Sequence, residues 1–343
     1  MTTEGLASEA EAPGRWRSLS RLWTWFRLIL VLAMIVGLVV VAKPSRLWSA
    51  LVGAQYLWVL AAVPLVIATV MLDALKLYWL VRPVGFSGGW WSVTRTTFVV
   101  NFVSLFLPGT IGGGVVLWQR LARENNLRAQ VFVALSLNIV VKGVALCGLG
   151  ALALALDAGA AQTHRALIAP LAVLSALPVL ALLLMLTTGM TGWIKRIHVS
   201  ALSRVMPRRL HDALRKILES LEIYRSHGPS LLGALTANIA RLLAGNACAL
   251  FCLYAVGVNE VPYVRVLWIM CAVEVAGMIP ISLSALGLPQ VAFVGLLAAF
   301  NIPAARSLAC NVVSWIPWLP IYLCGMALMV RESFARPHRK TLE

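Results

Sequence analysis

Long apolar runs separated by short basic stretches set the pattern of this chain. Runs that predict full-length spans fall at 26–42, 50–72, 129–156, 166–187, 229–256 and 307–330. They approach or exceed the ~20 residues an α-helix needs to cross a hydrocarbon core. Two further apolar regions, 97–119 and 264–300, do not run through: Pro108 and a cluster of glycines interrupt the first, and Pro280, Gly287 and Pro289 interrupt the second. The period-two alternation of a membrane β-barrel is absent. The segment 207–226, PRRLHDALRKILESLEIYRS, has a different rhythm: Leu210, Leu214, Ile217, Leu221 and Tyr224 recur at helical spacing behind Pro207, with Arg208, Arg209, Arg215 and Lys216 among them. It predicts an amphipathic helix, lying either on anionic lipid or on the protein's own cytoplasmic face. The expected fold class is an all-α polytopic membrane protein, with about six full transmembrane helices plus two re-entrant helical hairpins.

Composition agrees with the pattern. Sixty per cent of the residues are hydrophobic and only 12% are charged, about half the share in an ordinary soluble domain; the mean hydropathy is +0.86. A net charge of +16 would suggest nucleic acid in a soluble protein. Here the basic residues sit between apolar runs and no nucleic-acid motif accompanies them, so they read as loops facing anionic headgroups. The six cysteines, Cys147, Cys248, Cys252, Cys271, Cys310 and Cys324, all fall inside apolar runs, with no CxxC pair and no histidine cluster. They read as small core residues and not as disulfides or metal ligands. Arg15, Arg17, Arg21 and Arg27 ahead of the apolar run resemble a signal peptide, but no small-x-small cleavage site precedes Lys43; a retained first helix is expected.

Charge also sets the expected topology. Basic residues gather in 1–25, 73–96, 120–128, the eight-residue set within 188–228, and the tail 331–343, whereas the alternate segments carry only Lys43, Arg46, Arg165, Arg265 and Arg306. The positive-inside rule puts both termini and those basic segments in the cytoplasm. If 97–119 crossed as one helix, the 188–228 loop would face outward. The region is therefore expected to dip in from the cytoplasm and return, its irregular backbone covered by protein or a wet cavity. For 264–300 a hairpin from the outside or two full crossings both satisfy parity. The two broken regions also resemble each other: each has an apolar-Pro start, a Gly-containing turn, an apolar arm, and then Asn before a small-residue helix. With their flanking spans they give repeats at 50–156 and 229–330 that start on opposite sides, the inverted arrangement that places a transporter's substrate site near the midplane.

These motifs resemble the lysylphosphatidylglycerol synthase transmembrane, or flippase-like, family of bacterial and archaeal inner-membrane proteins. Pro108, Gly112 and Gly113 match a Pro-x-x-x-Gly-Gly-Asp element, and Pro280, Ser282 and Gly287 match a Pro-x-Ser-x-x-Gly-x-Gly element. The resemblance covers roughly 25–330 and delimits a flippase-like transmembrane domain at 26–330. Several family charges are missing: Gly114 replaces the Asp, Leu117 an Arg, Gln290 a Glu, and Ile139 and Val140 an acidic-Arg pair, with Lys142 two residues on. The resemblance implies translocation of a polar-headgroup or envelope-precursor lipid (phospholipid, hopanoid or polyprenyl-linked) in the bacterial inner membrane. The alternative is a non-transporting subunit that binds lipid and presents it to a separate lipid-modifying enzyme. No synthase domain fits in the chain, and the pattern carries nothing on oligomeric state.

Charged groups inside membrane segments are functional candidates by default. Lys142, Arg241 and Glu274 qualify. The two cations could hold a lipid phosphate, Arg as a planar fork and Lys as a point charge; equally, Glu274 could pair with either and only fix packing. Around the first break, Pro108, Gly109, Gly112, Gly113 and Gly114 would form a turn with backbone N–H groups free for an anion, or a small-residue packing face. Asn138, Ser282, Ser284 and Gln290 complete the expected lining, together with Pro280 and Gly287 of the second break. The chain carries no Ser/His/Asp arrangement and no metal-ligand cluster, so neither catalysis nor a cofactor is expected; membrane lipid is the expected partner and nucleic acid is not.

Overall fold

A computed structural model describes residues 43–106, 109–125, 127–157, 227–278 and 287–334, together with Val40 and Tyr224. Every regular element among them is helical. In chain order the helices are α1 (Pro44–Val52), α2 (Tyr56–Val81), α3 (Trp90–Ser104), α4 (Gly109–Asn125), α5 (Arg128–Leu156), α6 (Gly228–Ala255), α7 (Tyr263–Met278), α8 (Leu288–Ala298), α9 (Ala304–Val313) and α10 (Leu319–Phe334). Short 3-10 turns at Arg82–Val84 and Ile316–Trp318 follow α2 and precede α10. Four stretches are long and apolar enough to cross a membrane: Tyr56–Val84, Arg128–Leu156, Gly228–Ala255 and Ala304–Phe334. They correspond to four of the six expected spans. The other two, 26–42 and 166–187, lie outside the described residues, as do the 1–25 and 335–343 ends and most of the 207–226 segment. At Tyr224 that segment docks on the protein itself: the ring is buried in an apolar cluster with Val131, Ala134 and Leu137 of α5, and its hydroxyl donates to the Leu80 carbonyl of α2.

Three boundaries differ from the sequence reading, each for a local reason. The expected loop 73–96 is mostly helix: α2 runs on to Val81 and α3 begins at Trp90. Lys76, one of the basic residues that marked 73–96 as a segment between spans, is neutralised by Asp73 one turn away at 2.5 Å, so it interrupts nothing. The last span begins earlier, at Ala304, and bends through the 3-10 turn Ile316–Trp318, where Pro317 can donate no helical hydrogen bond. The glycines expected to form the first turn are helical: Gly109 opens α4, and Gly112, Gly113 and Gly114 follow within its first two turns.

Packing begins from α2 and α6, which lie against each other along their lengths and carry the main core: Val59, Ala62, Val66 and Val70 meet Cys252, Leu253 and Ala255, with Ile269 of α7 and Ile321 of α10 closing it. Five of the six cysteines are buried and all six are free. The helices around this pair fall into two matching sets. α3 packs on α2 and on its successor α4, as α7 packs on α6 and on α8; α4 packs on α5 as α8 packs on α9. Across the halves, α7 lies on α5 and α3 lies on α10. The neighbour pattern of α2–α5 is thus similar to that of α6–α10, with α9 and α10 together standing where α5 does.

Within each half the broken region is a pair of short helices. α3 and α4 have 15 and 17 residues, α7 and α8 have 16 and 11, or about 16 to 26 Å of helix each at ~1.5 Å per residue. Gly113 sits so close to Ser104 that a Cβ there would overlap its hydroxyl, which lets α4 fold back on α3. Gly287 has φ 112° as the N-cap of α8, a backbone open to glycine and costly for other residues. Pro108, Pro280, Ser282 and Ser284 lie outside the described residues. Close approach also fixes α10 on α3, where a Cβ at Gly325 would strike the Phe98 carbonyl.

Candidate functional site

Charged side chains from four helices meet at one place. Lys142 comes from α5, fourteen residues from its start, and Arg241 from α6, thirteen residues from its start. Both therefore stand near the midpoint of helices about 42–44 Å long. Glu274, on α7, receives both: Lys142 Nζ lies 3.1 Å and Arg241 Nη2 3.2 Å from the same oxygen, Oε2. Sequence reasoning selected these three, and the fold brings them together.

The fold adds two residues that sequence reasoning did not single out. Asp73 of α2 lies 3.8 Å from Arg241 Nε and 2.5 Å from Lys76 Nζ. Lys76 is the most buried of the set, with its side chain 2% exposed. A buried ammonium costs several kcal/mol to desolvate, so Asp73 is required there by the physics of the site. The sequence reading places Lys76 in the basic segment 73–96 and does not use Asp73. Their three-residue spacing inside LDALKLYWL, an otherwise apolar stretch, was the signal available. Asn238, wholly buried, completes the frame. It accepts from Arg241 Nε at 3.1 Å and donates to the Val141 carbonyl at 3.4 Å, which fixes the guanidinium against the backbone of α5.

The cluster thus holds Lys76, Lys142 and Arg241 against Asp73 and Glu274: three cations, two carboxylates. Burial grades the cations. Arg241 is 13% exposed and shared by both acids, whereas Lys142 is 33% exposed and contacts only Glu274 among the described residues. Lys142 is thus the most exposed of the three cations. The ion-pair alternative raised by the sequence is present as geometry; among the described residues it leaves one formal positive charge over.

The other expected residues divide. Asn138 stands one turn before Lys142 on α5, with its Oδ1 buried and unpartnered among the described residues. Among the same residues nothing lies within 4 Å of the position a Cβ at Gly114 would take. Gly113 is used for packing on Ser104. Gln290 lies in the first turn of α8.

Two further ion pairs flank the cluster along the chain. Arg120 of α4 holds Glu332 of α10 through both oxygens, at 3.4 and 2.6 Å. Asp157, just past α5, takes Arg265 of α7 bidentately at 2.8 and 2.9 Å and accepts Trp268 Nε1 at 3.1 Å, while the Arg265 guanidinium stacks 4.3 Å over the Phe300 ring. The first ties a short helix of one broken region to the crossing stretch Ala304–Phe334, and the second ties one to the residue that follows α5.

The family model of the lysylphosphatidylglycerol synthase TM region matches residues 25–322 of the chain. No curated protein and no solved structure matches it.

Proposed function

The chain belongs to the lysylphosphatidylglycerol synthase TM region family, and from that premise we propose that it is a transporter that moves a polar-headgroup lipid across the bacterial inner membrane. The observation that carries the reading is the excess of one formal positive charge, among the described residues, in the cluster of Lys76, Lys142, Arg241, Asp73 and Glu274. An excess cation at mid-helix depth is costly to keep without an anionic partner, and a lipid phosphate would supply one. In this reading the headgroup contacts Lys142 first, displaces Glu274 from it, and is then shared with Arg241, whose fork suits a phosphate.

The rest of the mechanism follows from the paired short helices. Their lengths fall below the ~30 Å of hydrocarbon a crossing helix must span, which supports re-entrant hairpins. The similar packing of the two halves supports inverted repeats, with the cluster at their interface. Rocking one half against the other would expose the cluster to each leaflet in turn, and the Arg120–Glu332 and Asp157–Arg265 pairs would open alternately. Both termini are cytoplasmic in this topology, and the protein works as a transporter without catalysis.

The test is transbilayer movement of labelled lipids in proteoliposomes, comparing anionic, zwitterionic and cationic headgroups. Lys142→Ala and Arg241→Ala should each slow movement tenfold or more without loss of folded protein. If no lipid moves while lipid binding is retained, transport is rejected and the lipid-presenting subunit remains.

A further inference from the structure

A second basic site lies at the other end of α2. There the turn between α1 and α2 meets the end of α6 and the start of α9, enclosing a cavity of about 450 Å³ lined by Arg46, Ser49, Gln55, Gly257, Pro303 and Arg306 among others. Gln55 is eighteen residues from Asp73 along α2, about 27 Å of helix, so this cavity is separate from the charged cluster.

Two arginines and no carboxylate line it. Neither Arg46 nor Arg306 has an acidic partner within 4 Å among the described residues, in contrast to nearby Arg265, which Asp157 engages at two atoms. Arg306 Nη1 donates to the Gly257 carbonyl at 3.0 Å. That single bond holds the guanidinium at the cavity wall and leaves its other N–H donors free. The surrounding backbone adds positive potential. Gln55 and Pro303 are the N-caps of α2 and α9, neither supplies a capping side-chain bond, and neither helix has an acid in its first turn, so the unpaired N–H groups of both helices go unneutralised. Ser49 and Gln55 are exposed beside them.

We propose that this cavity is a second anion site, specific for a phosphate group, with Arg46 and Arg306 as its binding residues. It is independent of the transport reading: it requires no movement of lipid and shares no residue with the Lys142 cluster. The phosphate can come from the headgroup of a lipid in the adjoining leaflet or from a soluble phosphate.

The experiment uses the full chain in phosphatidylcholine nanodiscs, titrated calorimetrically with short-chain phosphatidylglycerol and, separately, with inorganic phosphate. The proteins compared are the wild type, Arg46→Gln/Arg306→Gln and Arg46→Lys/Arg306→Lys. The expected result is saturable binding of at least one of the two anions, weakened tenfold or more in the glutamine double variant and retained within threefold in the lysine double variant. Loss confined to phosphatidylglycerol identifies a lipid headgroup; loss that includes inorganic phosphate identifies a site open to soluble phosphate. Because both arginines are exposed, the glutamine variant should keep the wild-type tryptophan emission, and the lysine variant separates lost charge from lost fold. No saturable binding to the wild type, or binding unchanged in the glutamine double variant, would overturn the proposal.

Discussion

Lys76 provides the sharpest test of the charged cluster, because its side chain is almost sealed from solvent and rests on Asp73 2.5 Å away. Removing one partner of a buried pair strands the other, at a typical cost of ~3–5 kcal/mol, whereas replacing the pair with apolar residues of similar size is often neutral. Asp73 itself is 40% exposed, so water offsets part of the loss and about 3 kcal/mol is the expected cost of Asp73→Ala. Lys76→Met should cost less than about 1 kcal/mol, since Asp73 keeps Arg241 at 3.8 Å and the burial cost of the ammonium disappears. In the double variant no stranded ammonium remains, so it should recover most of the Asp73→Ala loss. Reversible denaturation in detergent micelles, followed by tryptophan fluorescence, measures all three stabilities. Equal destabilisation of Asp73→Ala and the double variant would refute the reasoning, since the cost would then lie elsewhere than in the stranded lysine.

Three further outcomes follow from other contacts. Gly325→Leu should cost at least ~3 kcal/mol and loosen α10, because even a Cβ there meets the Phe98 carbonyl backbone; limited proteolysis and the same denaturation curve would register it. Arg120→Gln breaks a bidentate pair to Glu332 whose groups are 27% and 37% exposed, so stability should fall by no more than ~1 kcal/mol while transport rates change severalfold; an unchanged rate would remove the pair from the gating scheme. On a Cys324→Ser background, Gly114→Cys should react with a membrane-impermeant thiol reagent added from the cytoplasmic side and Leu288→Cys from the opposite side. Labelling of both from one side would reject the opposed hairpins.

Hydrophobic patterning alone located the four crossing stretches and both interruptions, because a helix that crosses lipid must be apolar over about 20 residues, a proline removes a bond that keeps it continuous, and glycine weakens helix propensity. It also selected Lys142, Arg241 and Glu274, since an ionised side chain in an apolar run is conspicuous wherever it folds. What it misjudged was Lys76, placed in a basic segment beyond the end of a span. Local sequence holds no record that Asp73 would neutralise it while Arg241, more than 160 positions later, would approach the same carboxylate. Likewise the glycines after Pro108 were legible as a break but not as the first turns of α4, because backbone conformation at glycine is decided by what packs against it; here that is Ser104. Composition determined that this chain lives in a membrane and where its helices cross. Only the tertiary structure decided that Lys76, Lys142 and Arg241 share two carboxylates, because charge balance is a property of distances between helices far apart in the chain.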